Sequence, residues 1–331
     1  MGRGHPGLPR RGRREALASR YGRRTLKSLP DLVLPRPEGM IRPGFEARDR
    51  IVTHPLTVQP SGQACGAEVT GVDLSRPLPA DIVAAIRKAW LEHHVLSFPD
   101  QQLSDDDFER FALYFGRFGH DPFFHPIPGR EHIAAVRREA NDTSPIFAEV
   151  FHSDWSFQAE PPAATFLYSL DIPPVGGDTV FSNQHLALAT MPPELLRKLE
   201  GKTAIHSAVM AYSPDGVYAD AEKRGSMDIR ISDEAYERQA HPLIRPHPET
   251  GVPGIFSAAF AYIIGFEGMP DEEAMPLLMA LREWQGREEF TYRHKWRNNM
   301  LVMWDNRSVL HRATGGYEGH RRELHRITIN S

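Results

Sequence analysis

"MWDNRSVLHRATGGYEGHRRELHRITI", residues 303–329, runs from an apolar strand through a glycine turn into a second strand, and its reading decides the fold. The run "NNMLVMWDN" at 298–306 leads into it, and "RRELHRITI" at 321–329 closes it; both carry the apolar patterning of strands. His311 follows the first strand and precedes Gly315-Gly316, a pair that marks a turn. Arg322 and Arg326 stand four apart, so an extended chain carries both guanidiniums on one face.

Upstream the same texture repeats. "IVTHPLTVQPSGQACGAEVTGVDLS" at 51–75 breaks short β-branched runs with Gly and Pro, and "VLSF" (95–98), "AATFLYSLDI" (163–172) and "TVFSN" (179–183) read as buried strands. "PPVGGDT" at 173–179 is a turn between two of them. Helices interleave. Ile82, Val83, Ile86 and Trp90 have helical spacing within 80–94, and Ser104 with Asp107 forms a capping box that opens a helix through Phe108, Phe111, Ala112 and Phe115. "PPELLRKLEG" (192–201) predicts a short helix with Pro in its first turn. "DEEAMPLLMALREWQGR" (271–287) predicts another, interrupted or kinked near Pro276. Many short strands with a few helices predict a mainly β fold with helical decorations, a jelly-roll-like barrel. No internal repeat or linker divides 50–331, so residues 40–331 are expected to form a single domain.

Bulk composition narrows the function classes. The chain has 331 residues, 40% of them hydrophobic, enough for a sizeable core. One cysteine, Cys65, cannot form an internal disulfide, which suits a reducing cytoplasm. No apolar run reaches the length of a membrane span. Charge is uneven: residues 1–39 carry nine Arg and one Lys against three acids, a net of +7, while the remainder carries −11. That leader lacks a secretory apolar stretch, and its Arg, Gly and Pro content predicts disorder. Three further readings stay open: a basic arm for nucleic acid or an acidic surface, a transit-like segment, and a true start at Met40.

"VFHSDWSF" at 150–157 holds the candidate chemistry. In a strand, His152 and Asp154 would project from one face and could grip one ion. With sixteen His and forty-three acids in the chain, the spacing alone is weak. A rival, His247 and Glu249 in "RPHPETG", reads as an exposed turn, and His93 and His94 read as helix C-terminal residues favoured by the unpaired carbonyls. No H-E-x-x-H, no thiolate set, no G-x-S-x-G and no phosphate loop occurs. A three-ligand site survives, with His311 as the third candidate and Arg322 and Arg326 suited to bidentate anion recognition. A solvated basic edge remains the bland reading of "HRRELHR".

Together "HSD" at 152–154, "PPVGGDT", "WDNRSVLHRATGGY" (304–317), "RRELHRITI" and "GAEVTGVDLS" (66–75) resemble the Fe(II) and 2-oxoglutarate-dependent taurine dioxygenase family, which includes the phenoxyalkanoate herbicide dioxygenases. The resemblance runs over roughly 50–330 and implies a double-stranded β-helix (jelly-roll, cupin-like) core. It implies that His152, Asp154 and His311 hold Fe(II), that Arg322 and Thr179 hold 2-oxoglutarate, and that O2 is the second co-substrate. It places Arg326, His125, Tyr212 and Phe260 at substrate positions, although the His125 segment needs a one-residue insertion and Pro128 replaces an expected Tyr. "RREAN" (137–141) and "IIGFEGM" (263–269) look closer to the phenoxypropionate enzymes. The expected reaction couples decarboxylation of 2-oxoglutarate to hydroxylation of a small anionic organic substrate. An alkyl sulfonate such as taurine, yielding sulfite and aldehyde, is placed ahead of a phenoxyalkanoate or alkyl sulfate ester. A homo-oligomer is expected, as relatives tend to form. A non-catalytic metal- or ligand-binding barrel is the rival of a different class.

Overall fold

Fourteen residues with apolar side chains every third or fourth position form the first helix, α1 (Ala80–His93), in the computed structural model, which describes residues 56–331. The expectations about the 1–39 leader and the Met40 start lie outside these residues. His94 ends α1 in a left-handed conformation, φ 64°, its N–H donating to the Trp90 carbonyl at 2.7 Å, so the His93-His94 pair does close a helix. Helix α2 (Asp105–Leu113) starts on the predicted capping box, with Ser104 and Asp107 each bonding the other's backbone N–H.

In chain order the strands are β1 (Thr57–Pro60), β2 (Ala67–Thr70), β3 (Val95–Phe98), β4 (Arg117–Phe118), β5 (Ala134–Arg138), β6 (Ala164–Asp171), β7 (Thr179–Asn183) and β8 (Thr203–His206). They continue as β9 (Gln239–Pro242), β10 (Ile244–Pro246), β11 (Pro253–Ile255), β12 (Ile263–Phe266), β13 (Thr291–His294), β14 (Leu301–Asp305), β15 (Val309–Ala313) and β16 (Arg322–Asn330). The major sheet has the order β1-β2-β3-β14-β6-β16-β4, with β5 also on β16; a minor sheet has the order β13-β7-β15. Only β2 and β3 pair in parallel among these; the rest are antiparallel. Two packed antiparallel sheets flanked by helices are the jelly-roll core predicted for the chain.

Strand β14 shows why both faces of the major sheet are apolar. Leu301 and Met303 point to the α1 and α2 side, among Phe98, Phe108, Phe111 and Phe166. Val302 and Trp304 point inward, towards Phe181 and Val309 of the minor sheet. On β16 the same alternation sends Leu324 inward and Ile327 and Ile329 outward. Arg322 and Arg326 share Leu324's parity, so they enter the space between the sheets. That placement builds the site.

Two expectations are corrected. The helix Asp271–Gln285 runs unbroken through Pro276. Pro276 forfeits one backbone bond near the first turns, and burial of Ala274, Leu278 and Leu281 along one face holds the helix on. His247 is buried rather than in an exposed turn. Its Nε2 meets Asp305 Oδ2 at 2.9 Å, while its Nδ1 accepts the N–H groups of Glu249 and Thr250. Arg307 bonds the same Asp305 at 2.8 and 2.7 Å, so this histidine belongs to a structural ion network. Burial raises the Asp305 carboxyl, but bonds from Arg307 and His247 outweigh that and hold it below the usual carboxylate range.

Candidate active site

His311 reaches the inter-sheet space from β15, opposite Phe181 of β7. His152 joins it through an isolated antiparallel bridge: His152 N–H donates to the His311 carbonyl at 3.0 Å, and His311 N–H donates back at 2.8 Å. The rings consequently stand 4.1 Å apart between centroids. Asp154 does not lie on a strand with His152, as the i, i+2 argument supposed. The chain turns after Ser153, and Trp155 adopts φ 45°, a left-handed conformation rare for a bulky residue. This turn, not strand alternation, aims the carboxylate back at both imidazoles.

Asp154 Oδ1 lies 3.6 Å from His152 Nε2 and 3.7 Å from His311 Nε2. The three donor atoms all fall within 4.8 Å of one another, close enough to share one ion. Two of the three are held in place for it by a hydrogen bond. His152 Nδ1 lies 2.9 Å from the Val150 carbonyl, which places the proton on Nδ1 and leaves the Nε2 lone pair free. Thr165 donates to Asp154 Oδ2 at 2.6 Å, leaving Oδ1 to face the imidazoles. Asn306 supports that threonine at 2.9 Å, and Trp304 Nε1 holds Asn306 at 2.9 Å. Burial, then the neighbouring His152, lower His311 to about 3, so its imidazole is neutral at physiological pH. Burial would raise the Asp154 carboxyl, but His311, His152 and Arg326 together keep it far below the usual range, hence ionised. Two imidazoles and one carboxylate on one face, with positions left open, are the donor set of a non-haem Fe(II) site. The residues fit that metal.

The Thr165 bond is testable by itself. Thr165→Val keeps the shape and removes the donor, and partners of a ligand typically carry about 10–100-fold in metal affinity. Competition with an iron chelator should show a loss in that range; an unchanged affinity would remove Thr165 from the support of Asp154.

Beside these three donor residues lies a cavity of about 70 Å³ whose wall includes Thr179, Arg322, Arg326, Leu167 and Trp304. Arg322 is buried and makes no ion pair among the described residues; its one bond is to the Gly177 carbonyl at 3.1 Å, and its Nε is unpartnered. The predicted turn explains the fit. Gly176 has φ 67°, and a Cβ there would stand 2.4 Å from the Gly316 carbonyl oxygen, so the two glycine turns can close on each other only as glycines. Thr179 accepts the Trp296 indole N–H at 3.0 Å, which leaves its own hydroxyl proton free to donate.

Arg326 faces the cavity from beyond Asp154, its NH1 4.0 Å from Oδ1, and its guanidinium lies over the rings of Phe124 (4.4 Å) and Trp155 (4.8 Å). Its other end forms an ion pair with Asp121. His125 is not brought to this cavity: its side chain is 53% exposed, pairs with Asp228 at 2.7 Å and borders an outer cleft. Tyr212 and Phe260 line a second, mostly apolar cavity of about 300 Å³ that shares Pro145, Phe147, Ala148 and His152 with the first. Tyr212 stacks on Phe123 with centroids 4.6 Å apart. Sequence reading missed Asp121, Thr165, Trp296 and Trp304. The "WDN" motif contains Trp304; Trp296 meets Thr179 across 117 residues and Asp121 meets Arg326 across 205, contacts that no local pattern marks.

Among the described residues, no helix is long and apolar enough to cross a membrane. The model of the taurine catabolism dioxygenase TauD, TfdA family matches residues 57–328. An alkylsulfatase of Acinetobacter baylyi is 32% identical over 267 residues, 80% of this chain and 81% of that protein. The alpha-ketoglutarate-dependent 2,4-dichlorophenoxyacetate dioxygenase of Cupriavidus pinatubonensis is 33% identical over 279 residues, covering 79% and 93%. The solved structure of a taurine dioxygenase from Burkholderia xenovorans superposes with a TM-score of 0.68 at 28% identity, covering 83% of this chain and 91% of that one. With the fold, the ligand geometry and this match in agreement, the chain belongs to the taurine catabolism dioxygenase TauD, TfdA family and is an oxidoreductase of the alpha-ketoglutarate-dependent dioxygenase class.

Proposed function

We propose that this dioxygenase hydroxylates a small organic anion carrying an apolar group, at a carbon beside an ether or ester oxygen or a sulfonate. The class uses Fe(II), 2-oxoglutarate and O2, which together supply oxidative decarboxylation to succinate and CO2 coupled to hydroxylation of the substrate carbon. His152, Asp154 and His311 would hold the metal, and the donor geometry described above supports this. Arg322 would take the distal carboxylate of 2-oxoglutarate: a buried guanidinium without an acid is costly until an anion reaches it. Thr179 would donate its free hydroxyl proton to the same carboxylate. Trp304 and Leu167 line the cavity as apolar walls that exclude water.

The observation that favours an apolar substrate part is the second cavity. Phe147, Tyr212, Tyr218, Phe260 and Tyr262 line it, and it meets the metal site at His152. Taurine has nothing to place there. An aryloxyalkanoate or alkyl sulfate ester therefore moves ahead of the alkyl sulfonate expected from sequence. The test is succinate formation with a panel of taurine, hexanesulfonate, hexyl sulfate and phenoxypropionate. Stimulation by the apolar members is the expected result; stimulation by taurine alone would contradict this reading.

A further inference from the structure

Two buried arginines on one strand are treated oppositely. Among the described residues Arg322 has no acid paired to it, whereas Arg326, four residues on, is already neutralised by Asp121. We propose that Asp121 is a specificity-determining residue, a built-in competitor for the substrate's anionic group at Arg326. The inference rests on the dioxygenase reading above and goes beyond it by saying how the substrate's charge is met.

The geometry is specific. Asp121 lies in "GHDPFF", just after β4, and reaches Arg326 NH2 through Oδ2. Its Oδ1 is buried, and both this guanidinium and the Phe123 backbone N–H bear on the carboxylate. Phe124 and Trp155 flank the guanidinium, and Asp154 stands beyond its NH1. An incoming anion thus meets a cation with one end occupied and a second carboxylate 4.0 Å from the other. A pair of this kind leaves little net field for a small anion to gain from. Asp121 keeps an exit, however: its side chain is 23% exposed, against 6% for Arg326, and it borders the outer cleft that holds His120, His125 and Arg230. It can leave the guanidinium without crossing the core.

The consequence is selection. A substrate held only by its charge, such as a short sulfonate, must displace Asp121 with nothing else to offset the loss. One that also fills the apolar cavity bounded by Phe147, Tyr212 and Phe260 gains the contact needed to do so. Arg326 then discriminates by what accompanies the charge rather than by the charge.

Calorimetric titration of the full chain, loaded anaerobically with Fe(II) and 2-oxoglutarate, tests this with ethanesulfonate as the probe. Asp121→Asn should bind it roughly tenfold tighter or more than the unmodified protein, the scale of one charge-assisted hydrogen bond. Asp121→Asn/Arg326→Gln should lose that gain, and Asp121→Glu should restore weak binding, which a merely structural acid would not do. Equal or weaker binding by Asp121→Asn overturns the proposal. If Asp121→Asn does not fold, the unmodified protein decides: hexanesulfonate much tighter than ethanesulfonate is expected, and equal affinities overturn it. Succinate formation from 2-oxoglutarate is followed in parallel, so a failed dioxygenase reading is distinguished from a failed role for Asp121.

Discussion

Asp154→Ala is expected to abolish iron-dependent turnover and to cost far more than about 100-fold in Fe(II) affinity, since even a ligand's supporting partners carry about 10–100-fold. Asp154 is the one anion among the three donors and the hub of the geometry, with Oδ1 facing both imidazoles. Without it, His152 and His311 offer two imidazole nitrogens and no anion, with the Arg326 cation on the far side of the lost carboxylate, a poor home for a divalent metal. The change should not unfold the protein, because His152 and His311 remain tied by their two backbone bonds. Circular dichroism with chelator competition separates the two effects. Near-normal turnover would remove Asp154 from the metal site.

The second large effect belongs to Arg322 and has opposite signs on binding and stability. Arg322→Met preserves most of the side chain's volume and removes its charge. Truncating one side of a buried charged pair costs about 2–5 kcal/mol, so the 2-oxoglutarate requirement should rise by roughly 30-fold or more while the requirement for the primary substrate changes little. Free of ligand, the protein buries this guanidinium with no acid paired to it among the described residues, and burial lowers its pKa. Replacing it with an apolar group should leave thermal stability unchanged or raised. Parallel rises in both substrate requirements, or a marked loss of stability, would mean that Arg322 is a structural cation.

What was legible in the sequence was what local patterning encodes. The strand alternation around Val302 and Trp304, the Ser104 capping box and the parity of Arg322 and Arg326 all follow from neighbours a few residues apart. The proposed metal-binding trio follows from motifs whose order along the chain resembles a known family, and the structure brings those three residues together. What was not legible came from contacts across the fold. Trp155 gives no sign in its identity that it will take φ 45° and turn Asp154 inward. His247 follows a proline in a polar stretch that reads as surface, until Asp305, 58 residues on, draws it into the core. Asp121 and Arg326 are 205 residues apart, and nothing at either position announces the pair. His125 lies between isolated bridges in a loop, where local patterning does not fix the direction of a side chain, and it borders the outer cleft.

The central claim is that His152, Asp154, His311 and Arg322 form one site for Fe(II) and 2-oxoglutarate. Anaerobic addition of 2-oxoglutarate to the iron-loaded protein, followed in the visible spectrum, tests it most directly. A metal-to-ligand charge-transfer band should appear and saturate at one 2-oxoglutarate per iron, and Arg322→Met should shift its midpoint to roughly 30-fold higher concentration or beyond. Absence of the band from protein that has bound one equivalent of iron would contradict the account.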